Sequence, residues 1–245
     1  MKNPTARRLP RALRILLAVL LALALGAGGF LLWAADDYRA QPAALDVLHS
    51  GAGVTVQGDL TILTPPGGSD TGIVFYPGAK VEAAAYLPLL ARFQAEGYTC
   101  VLVKMPLKRA IFDADAADAA FGAAPGVQHW YIAGHSMGGA MASSYASRHP
   151  DRVEGLIRLA AYVYGDYPPQ DALTIYGSLN ADVAKHIDYT ENILVIEGGN
   201  HAQFGNYGAQ KGDLPAAISA EEQQRITAEA VRQFIESRHA AAQAA

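Results

Sequence analysis

The stretch GHSMG, from Gly134 to Gly138, decides how the rest of the chain is interpreted. The apolar run HWYIAGHS, typical of a buried strand, leads into it, and MGGAMASSYASRHP, typical of a helix that Pro150 ends, follows it. A serine between two glycines at a strand-to-helix junction is typical of a nucleophile elbow, where the backbone turns sharply beneath an exposed hydroxyl. We expect strain at Ser136, and we expect any side chain at the flanking glycines to collide with the neighbouring strand or helix.

Two interpretations of this motif compete. In the structural one, it is a glycine-rich turn with an incidental capping serine. In the catalytic one, which the strand–turn–helix context favours, Ser136 is a nucleophile and the N–H of Met137, at the helix N-terminus, stabilises an oxyanion. A second oxyanion donor is expected in YPGAKVE, the loop after the strand GIVFY: first Ala79, with Gly78 or Lys80 as alternatives.

A serine nucleophile needs a base, and the base needs an orienting group, which precedes the histidine in chains with this type of elbow. His201 is the expected base, because it lies in the glycine-rich loop VIEGGNHAQFGNYG after the last predicted strand. The acid should follow the strand LTIY, in GSLNADVAKHID, where Asn180 occupies the usual position. We predict that a longer turn brings Asp182 to His201; Asn180 and Asp188 are the alternatives.

The other histidines are not expected to act in catalysis. His135 adjoins Ser136, but its side chain should point into the wall beside the elbow. Four more stand at linker, strand-start or helix-end positions typical of the surface: His49, His129, His149 and His239. No residues at metal-ligand spacing and no phosphate-binding loop are recognisable, so we expect neither a metal nor a cofactor.

Strand-like and helix-like segments alternate from Val54 onward. Eight segments are predicted as strands: VTV, LTILT, GIVFYPG, YTCVLVKM, HWYIAGHS, VEGLIRLAAY, ALTIYGS and NILVIEGG. Near-continuous apolar strands separated by helices predict a three-layer α/β fold, with a mostly parallel sheet covered on both faces. Only YVYGDYPPQDA separates GLIRLAA from LTIY, which is too short for a lid domain.

The N-terminal segment has a membrane-spanning pattern. Residues 15–33 are 19 uncharged residues and, as a helix, would extend about 28 Å, close to the hydrocarbon thickness of a bilayer. The apolar run resumes at Phe30, which favours a retained single-pass anchor over the alternative, a cleaved signal peptide and a secreted protein. The basic head, with Asp36 and Asp37 after the span, predicts an extracytoplasmic domain on a bacterial-type cytoplasmic membrane.

The charge distribution argues against nucleic acid as a partner. Five of the 19 Lys and Arg precede Asp36, which leaves 14 against all 23 Asp and Glu, a net charge of −9. We divide the chain into a basic cytoplasmic N-terminus (1–14), an anchor or signal segment (15–33), a juxtamembrane linker (34–52), a catalytic domain (53–239) and a tail (240–245).

The chain resembles the α/β-hydrolase superfamily, and more closely the small membrane-anchored bacterial proteins of the α/β-hydrolase fold-5 family, near dienelactone hydrolase-like proteins. The matching stretches are FYPGAKVEAAAYLPLL, GHSMGGAMASSYASRHPDRVEGL, LTIYGS and IEGGNHAQFGNYGAQKGD. The resemblance implies that Ser136 is the nucleophile and His201 the base. The chain departs from the family in the acid segment, where such proteins usually have GSxDG and this chain has GSLNA.

These features predict a serine hydrolase that cleaves small ester-like acyl substrates through a Ser-His-acid triad and an acyl-enzyme, in an open site at the membrane. The altered acid segment motivates an alternative from another class: a catalytically silent hydrolase-fold protein that binds a ligand at the membrane.

Overall fold

The computed structural model describes residues 10–49, 52–180 and 182–244. The chain divides into two compact units, Met1–Asp37 and Tyr38–Ala245. The first nine residues of the basic N-terminus expected at 1–14 lie outside the described residues, as do positions 50 and 51 of the expected linker and the last residue of the expected tail.

The first unit contains one long helix, α1 (Arg11–Ala35). Its part Arg11–Leu31 is long and apolar enough to cross a membrane, a property that an N-terminal signal sequence shares. More than half of the side-chain surface of Leu20, Leu23 and Leu25 is exposed. Because exposed leucines on a continuous helical surface are unfavourable in water, this helix is suited to an apolar environment.

The second unit is built on one eight-stranded sheet. Its strands are β1 (Val54–Gln57), β2 (Leu60–Leu63), β3 (Thr71–Tyr76), β4 (Thr99–Val103), β5 (His129–His135), β6 (Gly155–Leu159), β7 (Ala172–Gly177) and β8 (Ile193–Ile196). The order is β1-β2-β4-β3-β5-β6-β7-β8, with β1–β2 and β2–β4 antiparallel and every other pair parallel. The predicted mostly parallel sheet is therefore confirmed.

Helices cover both faces of this sheet. They are α2 (Pro42–His49), α3 (Leu87–Ala95), α4 (Ala117–Ala123), α5 (Met137–Arg148) and α6 (Ala220–Gln243). Successive side chains of a strand point to opposite faces. Phe75 accordingly packs in one core with residues of α3 and α6, whereas Tyr76 packs in a second core with residues of α4 and α5. These two cores make the predicted three-layer α/β arrangement.

The segment before β1 is packed onto the domain. Tyr38 forms an isolated parallel bridge with Val81, and its backbone N–H donates to the carbonyl of Lys80 at 2.7 Å. Further along, the N–H of Gln41 donates to the carbonyl of Asn206 at 2.8 Å. The compact unit therefore begins at Tyr38, inside the stretch expected as a linker, and α6 continues into the stretch expected as a tail.

Candidate active site

The junction between β5 and α5 forms the expected sharp turn. Ser136 has φ 53° and ψ −123°, a conformation that is unfavourable for a residue with a side chain. Hydrogen bonds hold it on both sides: its N–H donates to the carbonyl of Leu159 at 2.9 Å, and its carbonyl accepts from the N–H of Ala140 at 3.1 Å. Ser136 is partly exposed at the carboxyl end of the parallel strands, where ligands bind in open α/β sheets.

The glycines of the motif are required sterically. A Cβ at Gly138 would lie 2.1 Å from the carbonyl oxygen of Tyr76, and one at Gly134 would lie 2.4 Å from the carbonyl carbon of Gly138. Both obstacles are backbone atoms, which cannot rotate away. The predicted collisions are confirmed, and the strained turn at Ser136 depends on both glycines.

The loop after β3 leaves one backbone donor available. The N–H of Gly78 donates to the hydroxyl of Tyr86 at 3.0 Å, and the N–H of Lys80 donates to the carbonyl of Lys108 at 2.8 Å. Within the described residues no acceptor is recorded for the N–H of Ala79, which lies between them. The two alternative donors are thus engaged elsewhere. Met137 is the first residue of α5, so its N–H has no acceptor within the helix.

His135 is fully buried and joins the loop after β3 to the loop of His201. Its Nε2 lies 2.9 Å from the carbonyl oxygen of His201, and its Nδ1 lies 2.7 Å from the hydroxyl of Tyr86. Burial, and then the proximity of His201, holds the pKa of His135 well below its usual value, so the ring is neutral.

Every proton in this network has a determined position. The carbonyl of His201 can only accept, so Nε2 of His135 carries the proton of the neutral ring. Nδ1 then accepts from the Tyr86 hydroxyl, and the same hydroxyl oxygen accepts from the N–H of Gly78. As expected, His135 points into the wall beside the elbow. Its bonds link the expected oxyanion loop, the elbow and the His201 loop.

Tyr86→Phe is expected to lower the free energy of unfolding by about 2–4 kcal/mol, because it leaves two buried polar groups, on Gly78 and His135, without a partner. Urea unfolding of the full-length protein in detergent measures the change. Tyr207→Phe is the matched control, since the one partner recorded for the Tyr207 hydroxyl among the described residues is the partly exposed side chain of Gln210. Equal losses in the two variants would contradict the network.

The side chains of Asp213 and Gln223 hold the loop of His201. The carboxylate of Asp213 accepts from the N–H of His201 at 3.1 Å and from the N–H of Ala202 at 2.7 Å. Gln223 of α6 is fully buried and bonds both the N–H and the carbonyl of Asn200. His201 therefore has a fixed backbone. Burial lowers the pKa of its imidazole, and the negative charge of Asp213 opposes this shift.

Asn180 is the side chain that lies against His201. The N–H of Asn180 donates to the carbonyl of Gly177 at 2.9 Å, which closes a tight turn directly after β7. This turn places Nδ2 of Asn180 2.8 Å from Nδ1 of His201. Because an amide nitrogen can only donate, Nδ1 accepts in this arrangement, and the neutral imidazole has its proton on Nε2.

Neither carboxylate considered from the sequence takes this position. Asp182 is exposed, and its carboxylate lies 2.5 Å from the ammonium of Lys185, which lowers the pKa of Asp182. Asp188 is exposed as well, and no hydrogen bond to His201 is recorded for it within the described residues. The tight turn closed at Asn180 is the physical reason: the longer turn that would bring Asp182 to His201 does not form.

Comparisons with known proteins identify the family of the domain. The model of the alpha/beta hydrolase family matches residues 72–225. No curated protein matches the sequence.

Solved structures share the fold at low sequence identity. A bacterial membrane phospholipase A, described as a virulence factor, has 16% identity and a TM-score of 0.51, covering 92% of this chain and 99% of its own. A putative lipase from Acinetobacter baumannii has 11% identity and a TM-score of 0.55, covering 81% and 96%. Dienelactone hydrolase from Anabaena variabilis has 14% identity and a TM-score of 0.50, covering 76% and 96%.

Proposed function

The chain belongs to the alpha/beta hydrolase family, and we propose that within this family it is a serine hydrolase that cleaves ester-like acyl substrates. The observation that carries the proposal is the backbone of Ser136, held at φ 53° by two sterically required glycines. Such strain has no use in a simple connection between a strand and a helix, but it presents a hydroxyl at the carboxyl end of the sheet.

In the proposed reaction, the Oγ of Ser136 attacks the carbonyl carbon of the ester while Nε2 of His201 accepts the serine proton. The N–H groups of Met137 and Ala79 stabilise the oxyanion. His201 then gives the proton to the leaving alcohol oxygen, and the acyl group remains on Ser136. Water, deprotonated by His201, attacks the acyl-enzyme, and the carboxylic acid is released as Ser136 recovers its proton.

Asn180 takes the place of the acid in this proposal. With Nδ2 toward His201, the proton of the imidazole is on Nε2, and the ring cannot accept from Ser136. Rotation of the amide by 180° presents Oδ1, which accepts from Nδ1–H and frees the lone pair of Nε2. Asn180 orients the ring in this second arrangement, but it brings no negative charge to stabilise the imidazolium, so we expect slow turnover.

Exposed apolar side chains favour an apolar acyl group. The segment that contains Leu107, Ile111 and Phe112 is joined to the expected oxyanion loop by the bond from Lys80 N–H to the carbonyl of Lys108, and these three side chains are about half exposed. Exposed apolar surface beside a polar site suits the acyl chain of an ester. The similar folds of a lipase and a membrane phospholipase agree with this substrate class.

For α1 we propose a retained membrane anchor, with the hydrolase domain on the extracytoplasmic side of a bacterial-type cytoplasmic membrane. The sequence features behind this choice are the basic residues before the span and the acidic residues after it. Secretion after signal cleavage remains the alternative, and the N-terminal sequence of the protein isolated from membranes distinguishes the two.

Hydrolysis of p-nitrophenyl esters tests the proposed function. Full-length protein in detergent is expected to cleave p-nitrophenyl acetate, butyrate and octanoate above the uncatalysed rate, with a preference for the apolar acyl chains. Absence of hydrolysis of all three esters, together with no reaction with a fluorophosphonate, would overturn the proposal.

The pH dependence of kcat/KM reports on His201. Burial lowers the pKa of His201 below the usual histidine value near 6.5. Activity is therefore expected to fall only when the pH drops below that value, as the imidazole becomes protonated. Asp213→Asn removes the charge that opposes this shift, so the acid limb should move to still lower pH. A limb that moves upward in this variant would contradict the placement of Asp213 beside the base.

One observation favours a second function. The amide nitrogen of Asn180 against Nδ1 of His201 selects the tautomer that cannot act as a base, which is the arrangement expected in a catalytically silent protein that binds an ester-like ligand at the membrane. In that case the wild type turns over no p-nitrophenyl ester, whereas Asn180→Asp, which replaces the amide by a carboxylate, gains activity.

A further inference from the structure

We propose that His129, Glu154 and His239 form a binding site for one divalent transition-metal ion, with Zn²⁺ the best match to the ligands. His129 is the first residue of β5, Glu154 directly precedes β6, and His239 lies in the last turns of α6. The group is at the amino ends of the parallel strands, whereas Ser136 follows the carboxyl end of β5. The inference does not depend on the proposed function.

The potential ligand atoms are already gathered. One nitrogen of each histidine and a carboxylate oxygen of Glu154 all lie within 4.8 Å of one another. Nε2 of His239 is 3.7 Å from one oxygen of Glu154, and Nδ1 of His129 is 2.5 Å from the other. Ligands about 2.0–2.2 Å from a tetrahedral zinc ion are about 3.3–3.6 Å apart, so small side-chain rotations suffice.

Unpartnered polar atoms point to a missing ligand at this place. Within the described residues, six buried side-chain nitrogen or oxygen atoms have no hydrogen-bond partner, and Nε2 of His239, Nε of Arg238 and Oη of Tyr131 are three of them. The ring centroids of Tyr131 and His239 are 6.0 Å apart, and Arg238 directly precedes His239, so the three residues are neighbours. Such atoms in a folded protein call for an unseen ion or water, and a metal takes up the lone pair of His239.

The surroundings favour a cation over an anion. A cavity of about 390 Å³ is lined by Asp70, Glu154, Arg238 and the two histidines. The guanidinium of Arg238 is already paired with the carboxylate of Asp171. Asp70 and Glu154 bring two carboxylates to this cavity, and their negative charge attracts a cation. Two imidazoles and one carboxylate suit zinc, and the cavity leaves room for water at the fourth position.

Short sequence motifs do not reveal this site, because its three ligands are far apart along the chain and each looks like a surface residue. Ligand spacing along the chain, the basis for expecting no metal, does not detect such a site. A bound ion would attach the end of α6 to the starts of β5 and β6. The strand between this site and Ser136 has seven residues, about 20 Å, so the ion stabilises the fold and takes no part in the proposed reaction.

Zinc binding to the full-length protein tests the site. Protein in detergent is stripped with a chelator, dialysed and titrated with ZnCl₂ by calorimetry, while thermal unfolding is followed in parallel. We expect one zinc ion per chain and a Tm higher by about 5–10 °C at a zinc concentration about 100-fold above Kd.

Variants assign the ligands. His239→Ala and Glu154→Gln are each expected to weaken zinc binding by about 100-fold or more, since loss of a direct ligand should exceed the effect of losing a residue that only supports one. His49→Ala, at an exposed histidine on α2, and His201→Ala are the matched controls and should bind zinc like the wild type. Rates of ester hydrolysis should be the same with and without zinc.

Two results would overturn the inference: stripped wild-type protein that binds no zinc, or His239→Ala and Glu154→Gln variants that bind it as tightly as the wild type. Loss of zinc binding in His201→Ala would also overturn it, since the ion would then be at the candidate active site. If the protein binds zinc at these residues but hydrolyses no ester, the zinc site is supported and only the proposed function is refuted.

Discussion

Replacing Ser136 by alanine is expected to lower kcat for p-nitrophenyl ester hydrolysis by about 10²- to 10⁴-fold, because the reaction then has no nucleophile to form an acyl-enzyme, and the wild type already lacks the carboxylate of a full triad. The structure should be unchanged or slightly more stable, since alanine is no larger than serine and the glycines on both sides still permit the turn. Initial rates at saturating substrate, with the Tm measured on the same samples, separate loss of chemistry from loss of fold.

Ser144→Ala is the matched control for this experiment. Ser144 lies on the same helix, α5, is partly exposed, and uses its backbone carbonyl to accept from the hydroxyl of Ser147. Its side chain can be shortened without touching the elbow, so kcat should stay within about twofold. His201→Ala should resemble Ser136→Ala, and the double variant should be no slower than either single variant, because nucleophile and base act as one unit. An active Ser136→Ala enzyme would contradict the account.

Asn180→Asp is expected to raise kcat by about 10²- to 10⁴-fold. In a serine protease the reverse change, from aspartate to asparagine, lowers kcat by about 10⁴-fold with little change in geometry, because the amide selects the wrong tautomer of the histidine. Here the amide nitrogen of Asn180 is 2.8 Å from Nδ1 of His201. A carboxylate in the same place accepts from Nδ1–H, frees Nε2 and stabilises the imidazolium.

The same variant should change the pH profile in a defined direction. A carboxylate beside His201 raises the pKa of the imidazole, so the acid limb of kcat/KM should move to higher pH than in the wild type. Asp182→Ala is the matched control: Asp182 is exposed and paired with Lys185, so its removal should leave kcat unchanged. A large loss in Asp182→Ala, or no gain in Asn180→Asp, would show that Asn180 does not orient the base.

The parts of the fold that short stretches of sequence determine could be predicted. Buried strands alternating with helices require both faces of a sheet to be covered, and that pattern is visible in the apolar runs on either side of Gly134–Gly138. The elbow was predictable for the same reason, since its steric demands arise between residues that are close in sequence or on adjacent strands. Met137 and Ala79 as oxyanion donors, and His201 as the base, stay predictions that the kinetics must test.

Which side chain reaches His201 depends on the shape of the turn after β7, and the sequence does not specify that shape. Chemical preference for a carboxylate favoured Asp182, whereas the hydrogen bond from the N–H of Asn180 to Gly177 closes the turn earlier. The residues that hold the site in place could not be predicted from the sequence either, because they act through contacts between distant parts of the chain. Tyr86 reads as one of several apolar residues before α3, and Gln223 reads as a surface residue of an amphipathic helix, yet both are fully buried.

The most direct test of Ser136 as a nucleophile is the mass of the full-length protein after incubation with a fluorophosphonate, followed by peptide mapping. We expect one phosphonyl group per chain, on Ser136; it should be absent in Ser136→Ala and form much more slowly in His201→Ala. Unmodified wild-type protein under conditions that label a known serine esterase, or a label at another residue that persists in Ser136→Ala, would contradict this expectation.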